Sequence, residues 1–244
     1  MRRFFTWKEN ALKQFDYLVI PCARIGVDKI GRMRLSSHMN MRAQSAAYMA
    51  RDFPSAHLII CGGFCIGKRY PLTLDEPLIQ PANYSAEAAR YASQFPSESA
   101  FVAMWLNDHP FAQNQPGVSF ERMTLDQESR TTTENAECAT DILNASCHKT
   151  HDQRTGVISM VYHLLRPREN CMEVFTKTLT AKGFAPPIPV FTEEVLYREN
   201  RFWLEHINNF YQEPQSGFHW DANEICRRLK ADESLEGITP TKAA

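Results

Sequence analysis

Gly156-Val157-Ile158-Ser159-Met160-Val161-Tyr162-His163-Leu164-Leu165-Arg166-Pro167-Arg168 is the stretch whose reading decides the fold. The run from Val157 to Val161 has the length and β-branched content of a strand buried on both faces. It breaks directly into polar residues, and Pro167 suits the first turn of a helix predicted to reach Lys182, with Gly183 at its C′ position. Strand, polar turn and helix in that order form half of a parallel crossover unit. The same order occurs earlier: a strand at Asp16 to Ile20, a helix at Ser37 to Asp52 with Met41, Ala46, Met49 and Ala50 on one face, and a strand at His57 to Cys61.

Working outward, the helical composition of Ser85 to Ala92 begins at a plausible N-cap, Ser85. Phe101 to Trp105 and Val118 to Leu125 read as strands, Thr132 to Asn144 as a helix, Ile188 to Phe191 as a final strand and Glu193 to Tyr211 as one amphipathic helix. A short helix near Asn223 to Lys230 precedes a polar tail. This alternation predicts an α/β protein, a Rossmann-like three-layer α/β/α sandwich with a mostly parallel sheet and a C-terminal helical extension. The expected division is a Rossmann-like domain over residues 1–192, with loop insertions near 64–84 and 107–117, and an extension over 193–244.

The bulk composition narrows the function classes. Lys plus Arg number 27 against 28 for Asp plus Glu, so any anion binding must be local, and neither nucleic acid nor an anionic membrane is the expected partner. No apolar run reaches the length of a membrane helix, and Met1 to Lys8 lacks the apolar core of a signal peptide. Seven cysteines fit reduced thiols better than a disulfide framework. The expectation is a soluble cytoplasmic protein, with homo-oligomerisation left open.

Ligands of open α/β sheets sit outside the carboxyl ends of the strands, so His163 and Arg166 just past a strand are candidate site residues. His163 has the chemistry for acid/base work or for holding an oxyanion, against the ordinary alternative of a structural histidine. Between a predicted strand and helix, the segment from Asp126 to Asn135 is dense in hydroxyls and carboxylates. Thr131 and Glu134 there have capping-box spacing, while Ser129, Thr132, Glu134 and Asn135 could also recognise an anion or a ribose at the helix start. Gly62 and Gly63 follow a strand and permit close backbone approach, and Arg24 follows another strand end.

Other chemistries fit less well. Gly62 to Arg69 resembles a P-loop until its last position, where Arg69 replaces the Mg²⁺-binding hydroxyl. Cys61 and Cys65 have no second pair at zinc-ligand spacing, so no metal site is expected. The dinucleotide fingerprint G-x-G-x-x-G is absent. A nucleophilic triad of Ser129, His163 and Asp126 lacks the G-x-S-x-G elbow.

Together these parts resemble the family of bacterial proteins of largely unknown function that includes YdcF, SanA and ElyC. The resemblance covers residues 16–192. It rests most on the box Ser129, Thr132, Glu134, Asn135 and on a strand ending in Tyr162, His163 and Arg166. Arg42, Ala43, Ala46, Gly62, Gly63, Glu87 and Ala88 add weaker matches. It implies a Rossmann-like sandwich with a polar cleft at the strand ends, which in YdcF-like members is associated with S-adenosylmethionine. The chain departs from the pattern at Pro21-Cys22-Ala23, where a glycine is usual, and at Thr131, where Asn is frequent.

The expected function is therefore a YdcF-like small-molecule-binding protein. Its cleft, built from Arg24, Gly62, Gly63, Glu87, Ser129, Thr132, Glu134, Asn135, His163 and Arg166, would take a nucleotide-like or anionic ligand, with S-adenosylmethionine the named candidate. Two alternatives stand beside it. One is a transferase or hydrolase acting on a phosphorylated or glycosyl substrate, with His163 as acid/base. The other is a non-catalytic interaction module using the Trp203 helix.

Overall fold

The computed structural model describes residues 15–22, 25–27, 33–63, 97–108, 117–146, 153–167, 170–215 and 218–242. Arg24, Glu87, Cys65, the Ser85 helix and nearly all of the two expected loop insertions lie outside the described residues.

Five parallel strands form the central sheet: β1 (Tyr17–Pro21), β4 (His57–Cys61), β5 (Met123–Asp126), β6 (Thr155–Ser159) and β7 (Ile188–Phe191), in the spatial order β5-β4-β1-β6-β7. The register aligns Pro21 with Cys61, Cys61 with Asp126, and Ser159 with Phe191, so the carboxyl ends of neighbouring strands finish together. Between β1 and β4 lie a small antiparallel hairpin, β2 (Ile25–Val27) with β3 (Met33–Leu35), and helix α1 (Ser37–Asp52). The remaining helices are α2 (Glu98–Asp108), α3 (Thr132–Ala145), the one-turn α4 (Val161–Leu164), α5 (Cys171–Ala181), α6 (Thr192–Glu199), α7 (Trp203–Tyr211) and α8 (Ala222–Ala231). A second small antiparallel pair joins β8 (Phe218–His219) to β9 (Thr241–Lys242).

Side chains alternate across the sheet and divide the core in two. Leu18, Ile20, Leu58, Ile60, Ile158 and Val190 pack with Met39, Ala43 and Met49 of α1, Val102 and Leu106 of α2 and Val195 of α6. Val19, Ile59, Val157 and Phe191 face the other way, onto Ala136, Ala139 and Leu143 of α3 and Phe175 and Leu179 of α5. The protein is thus an α/β three-layer sandwich. Tyr211 of α7 and Ile225 and Leu229 of α8 are buried in the second cluster, so the segment beyond residue 192 shares the sandwich core.

The structure corrects several expected boundaries. Phe101 to Trp105 is not a strand but the middle of α2, which buries Val102, Ala103 and Leu106 while Phe101, Met104 and Trp105 are half-buried. A helix apolar nearly all round has no period to distinguish it from a buried strand. Val118 to Leu125 supplies β5 only in its last residues, after a 3₁₀ turn at Phe120–Arg122. Helix α5 starts at Cys171 rather than Pro167, because the Asn170 side chain caps it by accepting from the Glu173 N–H at 3.2 Å. Its other end is as read: Gly183 adopts φ 85°. The Gly183 and Phe184 N–H groups bond back to Thr180 and Leu179, both at 3.1 Å, a Schellman closure. The helix expected over Glu193 to Tyr211 is broken at Asn200, whose side-chain oxygen accepts from Phe202 N–H at 3.0 Å.

Candidate functional site

The strand order sets the place of the site. From β1 the chain builds outward through β4 to β5, then returns to the opposite side of β1 for β6 and β7. Crossovers leave β1 and β6 in opposite directions, the switch point at which open α/β sheets carry their ligand crevice beyond the strand ends.

At that crevice β6 ends in Ser159, and α4 follows at once with Tyr162 and His163. The fully buried Ser159 Oγ lies 2.9 Å from Nδ1 of His163, a residue that stays partly exposed. Burial, reinforced by the positive charges of Arg42 and Arg166, pushes the His163 imidazole well below its usual range. It is neutral at pH 7.

Arg42 comes from α1 and is almost wholly buried. Its Nη1 donates to the Pro21 carbonyl at 2.7 Å, and its Nη2 donates to the Tyr162 hydroxyl at 3.3 Å, so one guanidinium spans the ends of β1 and β6. Arg42 Nε is buried without a hydrogen-bond partner among the described residues. The Tyr162 hydroxyl also lies 3.4 Å from His38 Nδ1.

Glu193, at the start of α6, is fully buried and caps α4: both carboxylate oxygens accept from Val161 N–H, at 3.1 and 3.3 Å. The Tyr211 hydroxyl donates to the same carboxylate. Burial raises Glu193 to about 6, against the opposing pull of the Tyr211 and backbone hydrogen bonds and of the Arg42 charge. The same burial, with Glu193 as neighbour, pushes Tyr211 well above its ordinary value.

A second group of expected residues lies at the ends of β4 and β5. The buried Asp126 Oδ1 accepts from the N–H groups of Glu128 at 3.0 Å and Ser129 at 3.1 Å. Gly62 N–H donates to the Asp126 carbonyl at 3.1 Å, and Gly63 N–H to that of Ser129 at 2.7 Å. A Cβ on Gly63 would fall 2.3 to 2.6 Å from backbone atoms of Glu128, and one on Gly62 would fall 2.6 Å from Cys22 Cβ. The close approach these glycines allow is thus made by the protein's own chain.

Thr131 and Glu134 form the capping box read from their spacing: Thr131 Oγ1 accepts from Glu134 N–H at 3.1 Å, and the Glu134 carboxylate accepts from Thr131 N–H at 3.2 Å. Asn135 is buried one residue on, its Oδ1 without a partner among the described residues. The two groups are joined by Arg166, whose Nη2 donates to Thr132 Oγ1 at 3.0 Å.

Ser129, Thr132, Asn135, His163 and Arg166 therefore gather along one edge of the sheet, with Gly62 and Gly63 beneath the β5–α3 turn. The triad considered from sequence does not assemble, because Ser129 N–H is held by Asp126 within a local turn while His163 pairs with Ser159. The sequence reading left Ser159 and Glu193 out of the site and took Arg42 only as a weaker family match. The available signals were a hydroxyl inside the apolar run of β6 and an arginine among the alanines of α1. Among the described residues no group of His, Cys, Asp and Glu is arranged to hold a metal ion. No described helix is long and apolar enough to cross a membrane.

Compared with protein-family models and with curated proteins, the chain matches none.

Proposed function

We propose that the chain binds a nucleotide-like or otherwise anionic small molecule in the crevice between β1 and β6, as the YdcF-like reading of the sequence expects, in a cytoplasmic setting. The observation that carries this reading is the convergence of Arg42 from α1 with His163 and Arg166 from the stretch after β6 at the switch point, with Arg42 Nε buried and without a hydrogen-bond partner among the described residues. Buried polar groups cost free energy unless satisfied, and an anionic oxygen is the natural partner for a guanidinium N–H. Arg166 would hold a phosphate or carboxylate beside the start of α3, and Asn135 would meet a ligand hydroxyl or amine.

S-adenosylmethionine remains the first named compound to test, since its carboxylate suits Arg166. Nucleotides and sugar phosphates suit the two guanidinium groups equally. A thermal-shift screen against adenosyl compounds, nucleotides and sugar phosphates tests the proposal. A ligand at 100 times its Kd adds about 2.7 kcal/mol, a rise of several degrees in Tm. If no compound in the panel moves the Tm, the reading fails.

The interaction-module reading has one observation of its own. A groove of about 590 Å³ between α7 and α8 is lined by Arg201, Leu204, Asn208, Cys226 and Lys230, with Phe202 exposed at its rim.

A further inference from the structure

We propose that Ser159 is a positioning residue: its hydroxyl donates to Nδ1 of His163, so that the imidazole presents a protonated Nε2 to the crevice as a hydrogen-bond donor for a phosphate or carboxylate oxygen. The inference rests on the ligand-binding reading above and deepens it by assigning the form in which His163 meets its ligand.

The argument is an accounting of buried hydrogens. Ser159 Oγ is fully buried, and among the described residues its one hydrogen-bond neighbour is His163 Nδ1, 2.9 Å away. If Nδ1 carried the proton and donated to Oγ, the serine O–H would have no acceptor, and a buried donor left unpaired is costly. With the serine as donor, Nδ1 is the bare acceptor, and the neutral ring must carry its proton on Nε2. The doubly protonated ring is disfavoured first by burial and then by its neighbours. Arg42, reaching over from α1, and Arg166, just beyond α4, are positive neighbours, and a third cation beside them would be repelled. Tyr162, its ring centroid 6.3 Å from that of His163, and His38 against Tyr162 also stand near the ring.

Nδ1 is occupied by a buried partner, and the ring edge carrying Nε2 belongs to a residue that is partly exposed. His163 is then a neutral donor rather than a general base, since a base needs a bare nitrogen facing its substrate. Beside Arg166, such a donor recognises an oxygen acceptor and rejects a ligand that presents only N–H groups at the same place. A neutral donor also keeps its state above the usual histidine range, so its contribution to binding stays level as the pH rises from 7 to 8.

The test is nitrogen NMR of the full chain labelled in its histidines, of which there are eight, with the His163 signals assigned by their loss in His163→Gln. The expected pattern at pH 7 is a pyridine-like Nδ1 and a pyrrole-like Nε2. A pyrrole-like Nδ1, or an imidazolium pattern, overturns the proposal. In Ser159→Ala the preference should weaken toward a mixture of tautomers, and unchanged signals would remove Ser159 from its role. Should Ser159→Ala fail to fold, Ser159→Cys keeps the volume with a weaker donor and should show the same change in part.

Binding of inorganic phosphate, read by thermal shift, completes the test. His163→Gln, whose amide N–H can stand near the position of Nε2, should bind like the parent, while His163→Ala should bind about fivefold more weakly. Equal loss in both variants overturns the donor assignment. Failure of the parent protein to bind phosphate or any compound of the panel would instead count against the crevice as a ligand site, while the NMR pattern still decides the tautomer.

Discussion

Replacing Glu193 by Gln isolates the electrostatics that hold α4 in place. Glu193 is fully buried, and its carboxyl group titrates at about 6 against an ordinary value of 4.5, so desolvation outweighs the stabilising Val161 N–H, the Tyr211 hydroxyl and the Arg42 charge. The sign follows from linkage: a folded value raised above the unfolded one contributes stability that is present below pH 4.5 and lost as the pH climbs through about 6. At about 1.36 kcal/mol per pH unit, the gap is worth about 2 kcal/mol. For a chain of this length that corresponds to roughly 4 to 8 °C in Tm.

Glutamine keeps the shape and the acceptor for Val161 N–H but cannot ionise. Relative to the parent, Glu193→Gln should therefore gain about 2 kcal/mol between pH 4 and pH 7.5, whatever its packing costs at either end. Urea unfolding of both proteins at the two pH values measures this double difference directly. A difference of zero would show that Glu193 titrates alike in the folded and unfolded chain, with burial fully offset by its hydrogen bonds and the Arg42 charge. A loss toward pH 7.5 would show that the Arg42 charge and the hydrogen bonds win over burial, and the reasoning would be refuted.

Three other outcomes follow from the same geometry. Gly63→Ala puts a Cβ against the Glu128 backbone, which cannot rotate away as a side chain could, so stability should fall by about 2 kcal/mol or more in urea unfolding. Thr131→Ala removes the N-cap of α3 and should cost about 1 kcal/mol in the same assay, with loss below about 0.3 kcal/mol counting against the capping box. Arg166→Met takes away one positive neighbour of His163, so the imidazole pKa should rise in an NMR titration yet stay below its ordinary value, because burial is the larger cause.

The layers and strand ends were legible because the sheet is buried on both faces. Leu58-Ile59-Ile60 and Val157-Ile158 are apolar without alternation, and the glycines, prolines and polar residues that follow such runs mark where the chain turns over the carboxyl edge. The capping box and Gly183 were legible because their partners lie within a few residues. The same locality explains the errors: α2 carries an apolar run with no helical period, and the break at Asn200 is made by a side-chain turn without Gly or Pro.

For the site, His163 and Arg166 stood out by their position after a strand. Their supporting residues could not. Arg42 reaches Tyr162 across 120 positions and Glu193 reaches Val161 across 32, so only the folded sheet brings these polar groups together. Ser159 was nearer, four residues before His163, but its hydroxyl read as an incidental part of a strand.

The central claim is that the crevice between β1 and β6 holds an anion through Arg166 and its neighbours. Calorimetric titration of the strongest stabiliser from the compound panel into the parent protein and into Arg166→Met tests it most directly. Loss of a charge-assisted hydrogen bond predicts an affinity about tenfold weaker or more in the variant, in a protein that remains folded. Equal affinity for the two proteins would place the ligand elsewhere and contradict the claim.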